Sequence, residues 1–255
     1  YQWGDNLLVR AIENDKRIAK RVRYEPTLFV PVQKQTSFTT LDGKFLTPMK
    51  FTSIKESKEF VEQYKDQPHL VFGHTQYAYT YIADKYPEDI KWDYDKLLLI
   101  TIDIEVECEN GFPEPVDAEE KVNAITIKVF GNPTIHVIGT DNFEFKTDNP
   151  NIKYHKCQHE KQLLKTFMEV WKELDPDIIT GWNVETFDIA YLINRIWKLF
   201  NWDTVTNLSP HKLVTSREWF YMGQKKMISY NISGCLLYSS QSPRDATLSR
   251  MPYSA

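Results

Sequence analysis

The feature that most constrains this chain is a short apolar run that ends in two acids. Leu97-Leu98-Leu99-Ile100-Thr101-Ile102 has the composition of a strand buried on both faces of an α/β sheet. It runs directly into Asp103-Ile104-Glu105-Val106. Side chains at i and i+2 of a strand share a face, so Asp103 and Glu105 project together while Ile102, Ile104 and Val106 point the other way. Two carboxylates held that close repel unless a proton or a cation lies between them. Hard oxygen ligands in such a pair favour Mg²⁺ or Mn²⁺. The chain has 35 acidic residues, so an Asp-x-Glu triplet also arises by chance as two solvated acids. The pair needs a partner elsewhere in the sequence.

The surroundings spell an α/β layer. Ala124–Phe130 and Thr134–Ile138 flank Gly131-Asn132-Pro133 and predict a hairpin beside the first strand. Leu163, Leu164, Phe167, Val170, Trp171 and Leu174 recur at helical spacing, and Asp175-Pro176 ends that stripe. Asp177–Thr180 is a short strand and Gly181-Trp182-Asn183 a turn. A second helix carries Ile189, Leu192, Ile193, Ile196, Trp197 and Phe200 on one stripe. Three strands, a helix, a strand and a helix follow the order of a ribonuclease-H-like layer, although many α/β domains share it. Upstream, to about Trp92, the pattern is that of a smaller mixed α/β unit. It has a hairpin turn at Glu13-Asn14-Asp15, a second turn at Leu41-Asp42-Gly43-Lys44 and the capping-box spelling Ser53-Ile54-Lys55-Glu56. The expected division is an N-terminal domain over 1–95, an α/β (α+β) ribonuclease-H-like domain over 96–234 and a divergent polar tail over 235–255.

The partner for the acid pair lies in Gly181-Trp182-Asn183-Val184-Glu185-Thr186-Phe187-Asp188. Asp188 falls in the first turn of the second helix, where the helix dipole alone favours an acid. Asn183 is the expected N-cap. Helix-start electrostatics do not account for Gly, Trp, Asn and Phe in the same turn. Asp103-Ile104-Glu105 resembles the first exonuclease motif of family B DNA polymerases, Asp-x-Glu. Asn183–Asp188 resembles the second, Asn-x-x-x-Phe-Asp. Tyr24-Glu25-Pro26-Thr27-Leu28-Phe29, Gly111-Phe112-Pro113-Glu114-Pro115, Ile179-Thr180-Gly181-Trp182-Asn183 and Leu208-Ser209-Pro210-His211 are similar to stretches of the T-even-like phage group. The likeness runs from about Gln2 to about Gly234.

That resemblance implies a two-metal 3′–5′ proofreading exonuclease with Mg²⁺ or Mn²⁺ held by Asp103, Glu105 and Asp188. Asn183 and Phe187 would shape the pocket. Phe112, in Gly111–Pro115, would lie beside the terminal nucleotides of a frayed single strand. The implied partners are the 3′ end of single-stranded DNA, the template strand and the rest of a polymerase, if that part is a separate chain. Two other readings stay open: a non-catalytic nucleic-acid-binding module and a free-standing nuclease completed by another acid.

The sequence departs from the family at its third motif, a Tyr with Asp four positions later. Downstream of Asp188 no Tyr has that partner; Tyr230 has Gly234 in the acid's place. Weak or absent nuclease activity is therefore expected of this chain alone, and polymerase chemistry is not expected. From Cys235 the likeness fades into a polar stretch, Ser239-Ser240-Gln241-Ser242-Pro243-Arg244.

Charge and cysteine content fit these expectations. A formal net charge of −4 argues against a histone-like binder and restricts any phosphate contact to a local patch. Lys16, Arg17, Lys20, Arg21 and Arg23 form the densest basic cluster; Lys212, Arg217, Lys225 and Lys226 are a weaker candidate. Three cysteines without Cys-x-x-Cys spacing indicate neither a disulfide framework nor a zinc site, and the six histidines show no ligand spacing. No stretch approaches a membrane span of ~20 apolar residues. The expected location is intracellular, in the host cytoplasm if the gene belongs to a phage.

Overall fold

The computed structural model describes residues 1–89, 93–109, 111–140, 148–223 and 225–240. The chain forms two compact units, Tyr1–Trp92 and Asp93–Ala255.

In the first unit β1 (Gln2–Trp3), β2 (Asn6–Glu13) and β3 (Lys16–Arg23) form an antiparallel sheet. Asn14 and Asp15 both have positive φ, 51° and 58°, as a tight two-residue hairpin turn requires. Strands β4 (Thr27–Pro31), β5 (Phe38–Thr39) and β6 (Phe45–Lys50) form a second sheet in the order β4-β6-β5, and Gly43 supplies the positive φ between β5 and β6. Helix α1 (Ile54–Gln63) is capped by Ser53, whose side chain accepts from the Glu56 amide. The Glu56 carboxylate returns to the Thr52 amide, a capping box displaced by one residue. Helix α2 (Tyr77–Lys85) has no cap signal in the sequence. Tertiary burial selects it, with Tyr77 packed on Leu7, Tyr24 and Ile54 and its hydroxyl 2.9 Å from buried Ser57.

The basic cluster is divided by the hairpin register. Arg17, Arg21 and Arg23 share one face with Arg10 across the strand, whereas Lys16 and Lys20 lie on the other. Lys20 is paired with Glu13 at 2.5 Å.

The second unit is built on a six-stranded mixed sheet. Its strands are β7 (Leu99–Val106), β8 (Val122–Val129), β9 (Ile135–Thr140), β10 (Ile152–Cys157), β11 (Ile178–Trp182) and, at the far edge, β14 (Leu236–Ser240), in the order β10-β9-β8-β7-β11-β14. Strands β7, β8 and β9 are antiparallel neighbours, while β11 and β14 run parallel to β7. Apart from β10, this is the three-two-one-four-five order of a ribonuclease-H-like layer. Helix α3 (Glu160–Leu174) and helix α4 (Asp188–Leu199) bury their apolar stripes with Ile100, Ile102 and Ile104 in one core. Each fully buried Leu, Ile or Phe there contributes about 1.5–3 kcal/mol of transfer free energy. A short α5 (Trp202–Thr206) and a hairpin of β12 (Val214–Tyr221) and β13 (Lys225–Ile232) complete the unit.

Three expectations need correction. The run into Asp103 is not buried on both faces: Ile100, Ile102 and Ile104 are buried, whereas Thr101, Asp103 and Glu105 are exposed. Helix α4 packs on β7 and α3 on β8, β9 and β10, in one core with the β7 isoleucines, and the Thr101, Asp103 and Glu105 side chains face away from that core. Trp197 leaves the expected stripe of α4, half exposed, and packs edge-on to Trp202 at 5.2 Å. The segment after Gly234 does not turn at once into a tail. Leu236–Ser240 pairs in register with Ile178–Trp182, because the Asp177 carbonyl takes the Leu236 amide and extends the parallel sheet. Residues 241–255 lie outside the described residues. Among the described residues no helix is long and apolar enough to cross a membrane.

The histidines supply one structural pair. His136 on β9 and His155 on β10 meet Nδ1 to Nε2 at 3.2 Å, and His159 caps α3. Burial holds both paired imidazoles below their ordinary pKa, with His155 adding to the effect on His136 and Lys153 to both. The unfolded chain therefore takes protons below about pH 6.5 that the folded chain refuses, so stability is full above that pH and lost as pH falls through it. Between pH 7.5 and 5 the wild type should lose a few degrees more in Tm than a His136→Leu/His155→Leu variant. Parallel calorimetric curves would contradict this.

Candidate active site

Strand β11 pairs with β7 only over Leu99–Thr101, opposite Ile178–Thr180. Beyond that point the two parallel strands part, and their C-terminal ends open a crevice of the kind in which α/β sheets hold ligands. Gly181 sits at the parting point. A β-carbon there would lie 2.6 Å from the Ile102 carbonyl oxygen and 3.1 Å from Val184 Cβ, so only glycine permits the approach.

The chain turns at Asn183, which takes φ 56°, a left-handed conformation that Asn tolerates. Its carbonyl accepts the Thr186 and Phe187 amides, and its side-chain oxygen accepts the Thr186 hydroxyl. The Asn side chain therefore stabilises the turn and does not cap the helix. Helix α4 starts at Asp188, and Phe187 holds the N-cap position without a side-chain bond.

This turn delivers Asp188 into the gap between the strands. Its Oδ1 accepts the buried Ile104 amide at 3.1 Å, an N–H that faces the side where β11 has already left. Asp188 is 3% exposed. Its pKa is pushed up to about 7, first by burial and then by the charge of Asp103, with a smaller contribution from Glu105. Asp103, Glu105 and Asp188 share one cleft of about 440 Å³ with Ile104, Val106, Cys108, Phe112, Pro113, Trp182, Asn183 and Phe187. All six residues singled out by the sequence are thus brought together. Phe112 packs on Phe187 with ring centroids 5.3 Å apart, yet remains 70% exposed.

Trp182 is a cleft residue the sequence reading did not single out. It is 68% exposed at the end of β11. The register that pairs Thr180 with Thr101, carried on by two, puts it on the face of Asp103. A larger hollow of about 680 Å³ lies between α3 and the 204–212 segment, but there Glu169 and Asp175 are interleaved with Lys165, Lys172 and Lys212. It collects no excess of negative charge.

Residues 40–238 match the model of the DNA polymerase family B exonuclease domain. The chain belongs to that family. It is 30% identical over 237 residues to the DNA-directed DNA polymerase of Escherichia phage RB69, covering 83% of this chain and 26% of the relative. It is 26% identical over 255 residues to that of Enterobacteria phage T4, covering 91% and 28%. A 117-residue stretch, 44% of this chain and 10% of the relative, is 31% identical to the DNA polymerase delta catalytic subunit of Caenorhabditis elegans. The chain thus spans about a quarter of the phage relatives' length. The family match reaches residue 238 and so includes the first residues of β14.

The exonuclease domain of this family is metal-dependent, and the donor set here fits a hard divalent cation: three carboxylates in one cleft, one of them buried with its charge unbalanced. Among the described residues no three acidic, His or Cys side chains stand together at ligating separation. Asp103 and Glu105 are exposed, and exposed carboxylates are free to turn. Tyr230, the residue nearest to a third motif in the sequence, is buried on β13 with its hydroxyl on Asn194, and it does not line the cleft.

Because the folded pKa of Asp188 is raised, the native state keeps a proton that the unfolded chain has lost. Stability then falls as pH rises from about 4 to about 7. Asp188→Asn keeps an acceptor for the Ile104 amide and removes the charge. In metal-free buffer at pH 7.5 it should raise Tm by about 3–6 °C, or ~1–2 kcal/mol, with the gap narrowing as pH falls towards 4. A Tm at or below wild type throughout would show that the carboxylate is not electrostatically strained.

Proposed function

We propose that this chain is the N-terminal and 3′–5′ proofreading part of a replicative family B DNA polymerase. In this reading Asp103, Glu105 and Asp188 hold Mg²⁺ or Mn²⁺ against the 3′ end of a single DNA strand. The observation that carries it is the position of Asp188, buried at the parting of β7 and β11 beside two further acids, with a pKa near neutrality. A bound metal pair supplies an activated water and stabilises the leaving 3′-oxygen. The chain's own residues do the rest. The Ile104 amide fixes one Asp188 oxygen. Phe112 and Phe187 offer ring faces on which terminal bases stack without regard to sequence, as proofreading requires. Asn183 holds the turn that shapes the cleft. The arginine face of the β2–β3 hairpin meets template phosphates, and a separate chain could supply the remaining polymerase part.

Since Asp188 must lose its proton to bind a cation, affinity for Mn²⁺ should rise about tenfold per pH unit up to about 7 and level off above it. Calorimetric titration between pH 5.5 and 8 tests this, with Asp103→Ala and Asp188→Ala expected to abolish the heat. Digestion of single-stranded DNA by these 255 residues should be slow or absent, because within them no Tyr downstream of Asp188 has an Asp four positions later. Salt-sensitive DNA binding with no metal dependence would favour a non-catalytic module. Digestion at the rate of an intact proofreader would show that the site has all its acids.

A further inference from the structure

The loop joining β7 to β8 carries Phe112 into the cleft, and helix α4 holds that loop by its backbone. Tyr191, Asn194, Arg195 and Lys198 recur at helical spacing along α4. The Tyr191 hydroxyl donates to the Glu120 carbonyl at 2.8 Å. Arg195 Nη1 donates to the carbonyls of Ala118 and Glu119 at 2.9 and 2.7 Å, and the guanidinium is gripped by Glu160 at 2.7 Å. Lys198 reaches the Asp117 carbonyl at 3.4 Å. These bonds fix residues 117–120, the part of the loop away from the cleft. Asn194 acts nearer to it, its Nδ2 donating to the Pro115 carbonyl at 2.7 Å, three residues from Phe112.

Asn194 also differs in what holds it. Its Oδ1 accepts the Tyr230 hydroxyl at 2.5 Å, from β13. A carbonyl can only accept, so the amide face towards Pro115 must be the NH₂, and the hydroxyl fixes that orientation by occupying the oxygen. Both partners are buried. A second hollow, of about 60 Å³, is lined by Phe112, Glu114 and Pro115 of the loop, by Phe187 and by Lys226, Met227 and Ile228 of β13. Loop, helix start and hairpin therefore meet at one place.

We infer that Asn194 is a positioning residue of the exonuclease cleft, whose amide, oriented by the Tyr230 hydroxyl, ties the Phe112 loop to the β12–β13 hairpin and so sets where Phe112 meets the 3′-terminal base. This rests on the proposed reading of the cleft as a 3′-end site. Among the described residues the Tyr230 hydroxyl bonds Asn194 and none of the cleft residues, so its effect on DNA passes through Asn194 and the loop.

The test is a double-mutant cycle on the whole chain, in Ca²⁺ to limit hydrolysis. The probe is a single-stranded oligonucleotide with 2-aminopurine at its 3′ end, read by affinity and by quenching of the terminal base. Phe112→Ala should weaken binding about tenfold and relieve the quenching. Tyr230→Phe, which keeps the ring against Trp202, should weaken binding about fivefold with partial relief, and should add nothing in the Phe112→Ala background. Asn194→Ala should behave as Tyr230→Phe does, and combining the two should add nothing; this pair keeps the test open if either variant folds poorly. If Phe112→Ala leaves affinity and quenching unchanged, the reading of the cleft fails and the inference falls with it. If Phe112→Ala acts but Tyr230→Phe is silent, or its effect adds in full, the coupling alone is overturned.

Discussion

Where β11 leaves β7, the amide of Ile104 has no strand to bond, and a carboxylate from a different part of the chain takes its place. A buried N–H without a partner costs about as much as a lost hydrogen bond, so the sheet cannot open there unless something polar fills the gap. The turn from Gly181 to Phe187 exists in the form that delivers this acid. Glycine lets the strand end press against Ile102, Asn183 reverses the chain in a left-handed conformation, and the helix begins on the acid itself. Filling the gap with a carboxylate buries that acid and sets a third negative charge beside two that the strand already carries. The result is an acid that is half protonated near neutrality, a local electrostatic imbalance that a divalent cation would relieve.

Helix α4 joins this imbalance to the rest of the unit. It is buried from Asp188 through Ile196, which a simple amphipathic surface helix is not. Ile189, Leu192, Ile193 and Ile196 fill the core beneath β7. Asn194 and Arg195, polar groups that would be costly to bury alone, are each bonded to loop carbonyls, and Arg195 has Glu160 as its counter-ion. One helix thus seats an acid, packs a core and clamps the loop that brings an aromatic ring to the cleft.

Much of this was legible in the sequence because it is written in local patterns. The alternation through Asp103 and Glu105, the stripe of α3 closed by Asp175-Pro176 and the hairpin around Gly131-Asn132-Pro133 each follow from a period or a turn residue. The acid motifs added the third carboxylate. What stayed hidden depends on partners distant in sequence. Strand β10 is recognisable only beside β9, α2 only by its burial, and β14 only once Asp177 offers its carbonyl. Trp182 needed the register of β11 against β7 to be placed on the acidic face. The tie between Asn194, Pro115 and Tyr230 spans 79 residues on one side and 36 on the other, beyond the reach of any pattern of spacing.

The central claim is that the Asp188 carboxyl is strained by burial and by its two acidic neighbours. A carbon-13 NMR titration of that carboxyl in metal-free buffer measures it directly. The predicted result is a midpoint near pH 7 that shifts down with Asp103→Asn, and also when Mg²⁺ is added to the wild type. A midpoint close to that of an ordinary aspartate, about 4 and indifferent to both changes, would contradict the account.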